Sequence, residues 1–187
     1  MPPDLQRLLD AIAAAEADAR ALAAPLTDAQ ANWQPGGGTG WSVAQCLDHL
    51  AISNRVYTDH FVALAEQAAA DGRGTFGGLR PTAVGRWFVR SLEPPPRQKT
   101  KTFRNVQPPS SLPLADALAH YLASHEPYRR LVALGATFDP NRVVAPNPFI
   151  GWVRMRLATA LLVIPAHERR HLWQARQVLA APGFPRG

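Results

Sequence analysis

The segment Pro165-Ala166-His167-Glu168-Arg169-Arg170-His171-Leu172-Trp173-Gln174 places two histidines four residues apart, inside a run that reads as helix from roughly Arg154 to Ala180. Helical periodicity stacks positions i and i+4 one turn above the other, so the two imidazoles share a face. Nitrogens so placed can converge on one divalent ion at about 2.0–2.1 Å each. Leu157, Leu161, Ile164, His171 and Val178 fall on one stripe of this helix, with His167 at its flank and Arg169 and Arg170 projecting away. The pair is therefore expected to face inward, beside a bend set by Pro165.

Upstream, the spacing predicts three further helices. Leu5, Leu8, Leu9, Ile12, Ala15, Ala19 and Leu22 follow a three-four repeat that starts at Pro2-Pro3-Asp4 and stops before Pro25. A turn of helix between Thr27 and Gln34 ends at Pro35-Gly36-Gly37-Gly38. Ser42 is a good N-cap for a second long helix, Val43 to about Ala70, with Val43, Cys46, Leu50, Tyr57, Phe61 and Leu64 on its apolar stripe and His49 on the shoulder. From Asp71 to Pro109 the pattern gives way to Gly, Pro and basic residues, with one short helix over Thr82 to Leu92. Ser110 or Ser111 is the expected cap of a third helix running to Leu134-Gly135, broken near Glu126 by Pro127. The fourth is expected to begin near Phe149 to Trp152. No strand-period run of useful length is visible. The expectation is an all-α, up-and-down four-helix bundle in a single domain, residues 1–187, with a long basic Pro/Gly-rich connection between helices two and three.

Composition restricts the function classes. With 47% hydrophobic and 18% charged residues, the chain can build a packed core. The net charge of +6 is concentrated: Arg80, Arg86, Arg90, Arg97, Lys99, Lys101 and Arg104 lie in one stretch against Glu93 alone. That is a basic segment rather than a duplex-sized face, so nucleic acid is not the expected partner. A solvated linker is the simplest reading of it, ahead of a lid that attracts an anionic substrate. Cys46 is the single cysteine, which excludes an internal disulfide, and Met1-Pro2-Pro3-Asp4 lacks the pattern of a secretion signal. A cytoplasmic location is expected. The longest apolar run, Leu157 to Ala166, is half of the roughly 20 residues needed to cross a bilayer, so no membrane partner is expected.

His167-Glu168-Arg169-Arg170-His171 matches the H-E-x-x-H pattern of zinc peptidases, in which the glutamate is the general base. Such a site needs a further ligand downstream, and after His171 there is no His, Asp, Glu or Cys. A third ligand must come from His49, His60, His120 or His125. His49 and His60 are about 16 Å apart along one helix, so only one of them can join. Spacing alone does not choose among the four.

Trp41-Ser42-Val43-Ala44-Gln45-Cys46-Leu47-Asp48-His49-Leu50, followed far downstream by His167-Glu168-Arg169-Arg170-His171-Leu172-Trp173-Gln174, resembles the DinB-like (DNA-damage-inducible, YfiT-like) superfamily. The resemblance implies a helical bundle with three metal-binding histidines at His49, His167 and His171. It implies a divalent transition metal (Zn, Ni, Mn or Fe) and a metal-dependent hydrolase, or a thiol transferase that activates a low-molecular-weight thiol toward a small-molecule substrate. It also implies a homodimer.

Other residues carry weaker readings. Glu168 is a candidate proton acceptor, balanced against pairing with a nearby arginine. Gln174 could orient substrate, although a packing amide is simpler. Cys46 reads as an inert small hydrophobe, His60, His120 and His125 as structural or exposed, and the five tryptophans as packing residues. The competing functions are a non-catalytic metal or ligand carrier or sensor and, further off, a basic nucleic-acid-associated module.

Overall fold

The computed structural model describes residues 1–96 and 101–186, so Arg97 and Lys99 of the basic segment lie outside the described residues. The chain is mostly helical with one small two-stranded sheet. Helix α1 is Pro3–Ala23, opened by a proline at its start; α2 is Asp28–Asn32, closed at its N-terminus by a Thr27/Gln30 capping box. The turn α3, Pro35–Gly38, reverses the chain because Gly36 and Gly37 both take φ +65, a conformation costly for residues with a Cβ. Helix α4, Val43–Ala70, begins at a second capping box in which Ser42 and Gln45 satisfy each other's backbone N–H groups. The buried stripe of α4 continues from Phe61 to Ala65 and Ala68, so Leu64, expected inside, is 40% exposed. It stands one position off the helical period.

Helix α5, Ala83–Leu92, is capped by Thr82 and lies against the last helix. The third helix is split into α6, Leu114–Ala123, and α7, His125–Leu134. Neither Ser110 nor Ser111 caps it. Pro113 holds that position and the first N–H, of Leu114, donates to Asp28 Oδ1 of α2 at 2.8 Å. The break falls at Ser124, which leaves Pro127 in the first turn of α7, where its missing N–H is not needed.

The start of the fourth helix also differs from expectation. Strands β1, Val144–Pro146, and β2, Arg154–Arg156, pair antiparallel with Ala145 opposite Met155. Between them Asn147 Oδ1 accepts the N–H groups of Phe149 (2.9 Å) and Ile150 (3.0 Å), a turn that holds the residues expected to start a helix. Helix α8 is Leu157–Ala180 and continues through Pro165.

Cross-helix contacts give the helix directions. Asp48 meets His120, Asn54 meets Ser124 and Glu66 meets Arg130, so α4 and the α6–α7 pair run side by side in the same sense. Leu5, Leu8 and Ile12 cluster with Tyr128, Leu131 and Val132, whereas Ala15, Ala19 and Ala23 cluster with Leu114, Ala117 and Tyr121, so α1 runs opposite to α6–α7. Asp18 meets Arg176, and Leu22 clusters with Val178, placing α1 and α8 in one sense. This corrects the strict up-and-down order. The stretch 71–113 is long enough to return along α4, about 42 Å for 28 residues, so the next helix starts again from the same end.

The buried core falls into a cluster around Ile12, Phe61, Tyr128 and Leu161, and another around Ala19, Leu47, Tyr121 and Leu172. The histidine pair lies toward the second. No helix among the described residues is long and apolar enough to cross a membrane.

Candidate metal centre

Two elements supply the site. The Ser42/Gln45 cap fixes where α4 begins, and Gln45 is held further by donating to the Pro109 carbonyl (3.0 Å) and accepting from Gln34 (2.7 Å). His49 stands two turns into that helix. The inward stripe of α8 carries His167 and His171 to it. One nitrogen from each of the three imidazoles lies within 4.8 Å of the other two. His49 Nε2 is 3.4 Å from His167 Nε2, and the three ring centroids are 4.5, 4.6 and 5.1 Å apart. Spacing alone left four candidates for the third ligand. Of these the fold brings only His49 to the pair among the described residues.

His60 instead contacts the Pro146 carbonyl (2.8 Å), His120 pairs with Asp48 (3.1 Å), and His125 lies buried between Glu16 and Glu168. Their expected structural or exposed roles match these positions.

The tautomer of His49 follows from its partner. Its Nδ1 is 2.7 Å from the carbonyl oxygen of Val106, which can only accept, so Nδ1 carries the proton and Nε2 presents a lone pair. Ser53 Oγ is 3.4 Å from that Nε2. His171 Nδ1 is buried with no hydrogen-bond partner. Trp41 walls the cluster, its ring 4.7 Å from that of His49 and stacked on His171 at 5.8 Å. His167 is the one of the three that is not fully buried.

The electrostatics favour neutral rings. Burial lowers the pKa of His49, against the opposing pull of Val106, Asp48 and Glu168. Burial lowers His167 and His171 well below the ordinary value, and the neighbouring imidazoles and Arg170 lower both further. A side-chain contact from Gln174 works the other way on His171. Three uncharged imidazoles, one with an orphaned nitrogen, form a donor set suited to a divalent ion. Two nitrogens bound at about 2.05 Å with a tetrahedral angle between them stand about 3.4 Å apart, which the His49–His167 separation matches.

Glu168 is elsewhere. It is fully buried, accepts from Tyr121 Oη (2.5 Å) and Asn54 Nδ2 (2.8 Å), and lies 3.3 Å from His125 Nε2. It is neither among the clustered groups nor paired with an arginine; Arg169 pairs with Glu93 instead. The helical phase explains this: three residues before His171, Glu168 shares the inward side and meets α4, α6 and α7. Cys46 packs with Leu22, Val43, Ala175 and Val178, and burial pushes its thiol pKa up to about 12. It is a small hydrophobe, as its position on the apolar stripe implied. The tryptophans divide. Trp33 packs on Phe184 and Trp41 on the histidines, whereas Trp87 and Trp152 are 69% and 86% exposed and pack little.

Sequence reasoning missed Trp41 as a wall of the site and the Val106 carbonyl as the partner of His49. The first was visible only as the residue that opens the motif resembling the superfamily and precedes a cap. The second lies 57 residues away in an irregular segment.

Comparisons with curated proteins and with solved structures found no match. A family model described as the DinB superfamily matches residues 11–175, which takes in His49, His167, His171 and the helices that carry them. On that match the chain belongs to the DinB superfamily.

Proposed function

We propose that the protein is a metal-dependent enzyme, a hydrolase or thiol transferase, acting on a small-molecule electrophile within a single four-helix-bundle domain of up-down-down-up order. The carrying observation is the convergence of His49, His167 and His171, with His49 Nε2 freed as a lone pair by the Val106 carbonyl. These three residues would hold the ion, whether Zn, Ni, Mn or Fe. A divalent metal held there supplies Lewis acidity, which lowers the pKa of water or of a low-molecular-weight thiol.

The chain's own residues narrow the choice. Trp41 covers one side of the cluster. Glu168 is committed to Tyr121, Asn54 and His125, which argues against this carboxylate as a proton acceptor at the centre. A free thiol, ordinarily near pKa 8.5, needs far less help to ionise at neutral pH than water at 15.7. This supports the thiol-transfer reading over hydrolysis. A homodimer and a cytoplasmic location complete the proposal.

Metal analysis after loading with Zn²⁺, Ni²⁺, Mn²⁺ or Fe²⁺ is the test. About one equivalent bound, and retained by Glu168→Gln but lost by His49→Ala, is expected. Binding that survives His49→Ala would overturn the three-histidine centre. A loaded protein that turns over neither thiol-plus-electrophile mixtures nor simple esters and amides would leave a carrier or sensor.

A further inference from the structure

Away from the histidines, the molecule presents a face whose positive charge is only partly offset among the described residues and which carries exposed apolar groups. Two stretches build it. Residues 72–92 carry four arginines and residues 140–166 carry three, with no Asp or Glu in either. The fold stitches them together. Arg80 N–H donates to Asn141 Oδ1 (2.8 Å), Asn141 Nδ2 donates to the Gly78 carbonyl (2.9 Å), and Arg156 donates to the Arg80 carbonyl (3.0 Å). Gly85 of α5 sits so close to Thr159 that an added Cβ would lie 2.7 Å from its Oγ1, which seats α5 on the start of α8 just beyond the hairpin.

Carboxylates compensate little of this charge. Asp139 lies between Arg80 (3.6 Å) and Arg142 (3.8 Å), and Asp71 holds Arg73 (3.0 Å). Among the described residues, the side chains of Arg86, Arg154 and Arg156 donate to backbone carbonyls, which leaves their charge in place. Among these cations stand large apolar groups in water. Val84 and Trp87, one turn apart on the outer face of α5, are 66% and 69% exposed, and Trp152 projects from the β1–β2 loop. Phe88, Val89 and Leu92 pack, partly buried, against the core, and Val84, one turn before Phe88, stands at the edge of that side with Trp87 beyond it. The helix therefore buries one edge of its apolar side and leaves Val84 and Trp87, at the other edge, in water.

We propose that this face docks peripherally on an anionic phospholipid surface, with Val84 and Trp87 entering the headgroup boundary and Arg86 and Arg90 contacting lipid phosphates. Indole rings favour that depth, and basic residues beside them are drawn to anionic headgroups. An exposed valine contributes to insertion and nothing to base stacking, which favours lipid over single-stranded nucleic acid. A second copy on this face would set arginines against arginines across a two-fold axis. The expectation of no membrane partner rested on the length of apolar runs, which bears only on spanning. The proposal is independent of the histidine centre.

Flotation of the full chain with phosphatidylcholine vesicles, with and without phosphatidylglycerol, is the experiment. Binding to the anionic vesicles alone is expected, lost in Val84→Ser/Trp87→Ser and about 30-fold weaker in Arg86→Ser/Arg90→Ser. Both variants alter exposed side chains, so an unchanged melting temperature checks the fold. Binding that ignores lipid charge, binding that survives the Val84/Trp87 variant, or no binding overturns the proposal. So does a dimer abolished by that variant, or tighter binding to a single-stranded oligonucleotide lost in the same way.

Discussion

Helix α8 carries two buried polar clusters within one turn of each other, and they differ in how far the chain satisfies them. Around Glu168, hydrogen bonds close on every side: Tyr121, Asn54 and His125 reach the carboxylate, and His125 passes on to Glu16 and Arg129. Of that group only Asn54 Oδ1 is left unpaired. Around His167 and His171, the rings face one another, and His171 Nδ1 is buried without a hydrogen-bond partner among the described residues. A polar network that satisfies itself fixes helices against each other, whereas one left open needs something from outside. The two were adjacent in sequence and looked like one motif. Their chemistry separates because positions 167 and 168 point about 100° apart around the helix.

The largest effect should come from breaking the closed cluster. Glu168→Ala leaves Tyr121, Asn54 and His125 without their acceptor, and a loss of about 3–5 kcal/mol is expected in urea unfolding of the metal-free protein. A loss below about 1 kcal/mol would remove the structural role assigned to this carboxylate. Next is the open cluster. His167→Ala should weaken metal binding more than about 100-fold in a chelator competition, the upper end of what supporting partners alone cost, with little change in metal-free stability. If stability falls and affinity holds, the assignments of the two clusters are reversed.

Acid sharpens the contrast further. The three imidazoles resist protonation in the folded chain, while in the unfolded chain they take up protons near the ordinary value of 6.5. Below that pH the unfolded state binds more protons, so metal-free stability should fall as pH drops from 6.5 toward the lowered folded values. Each ring that stays neutral contributes up to about 1.4 kcal/mol per pH unit. His171→Ala should flatten this slope; a slope unchanged in that variant would place the acid sensitivity outside the cluster. The smallest effect belongs to Cys46. Its buried thiol should resist iodoacetamide in the native protein at pH 8 and label only on unfolding. Native labelling would show that helices α4 and α8 open at the site.

The helices were legible where local chemistry decides them. Pro3, Thr27, Ser42 and Thr82 mark real starts, because a cap or an N-terminal proline acts within one turn. Where a partner from elsewhere decides, sequence fell short. The start at Leu114 depends on Asp28, and the delayed start at Leu157 on an Asn147 turn and a hairpin of three-residue strands. Helix direction was hidden too, since it depends on where the long connection returns. At the site, the histidine pair was readable from spacing, while His49 needed the family resemblance to be chosen. The surroundings of Glu168 were hidden because the groups that close on it come from α4, α6 and α7. The exposed indoles of Trp87 and Trp152 look no different in sequence from those that pack.

The bond from His49 Nδ1 to the Val106 carbonyl has a further consequence. Val106 ends a short 3₁₀ turn, Arg104–Val106, in the long irregular connection. A carbonyl pulling on one imidazole N–H strengthens the opposite nitrogen as an electron donor, so the seating of that turn sets the basicity of Nε2. Lifting Val106 away would free the ring to place its proton on either nitrogen. The turn that carries Val106 would thus tune the hold of the three imidazoles on any ion they bind, and affinity for that ion would gauge how firmly the turn is seated.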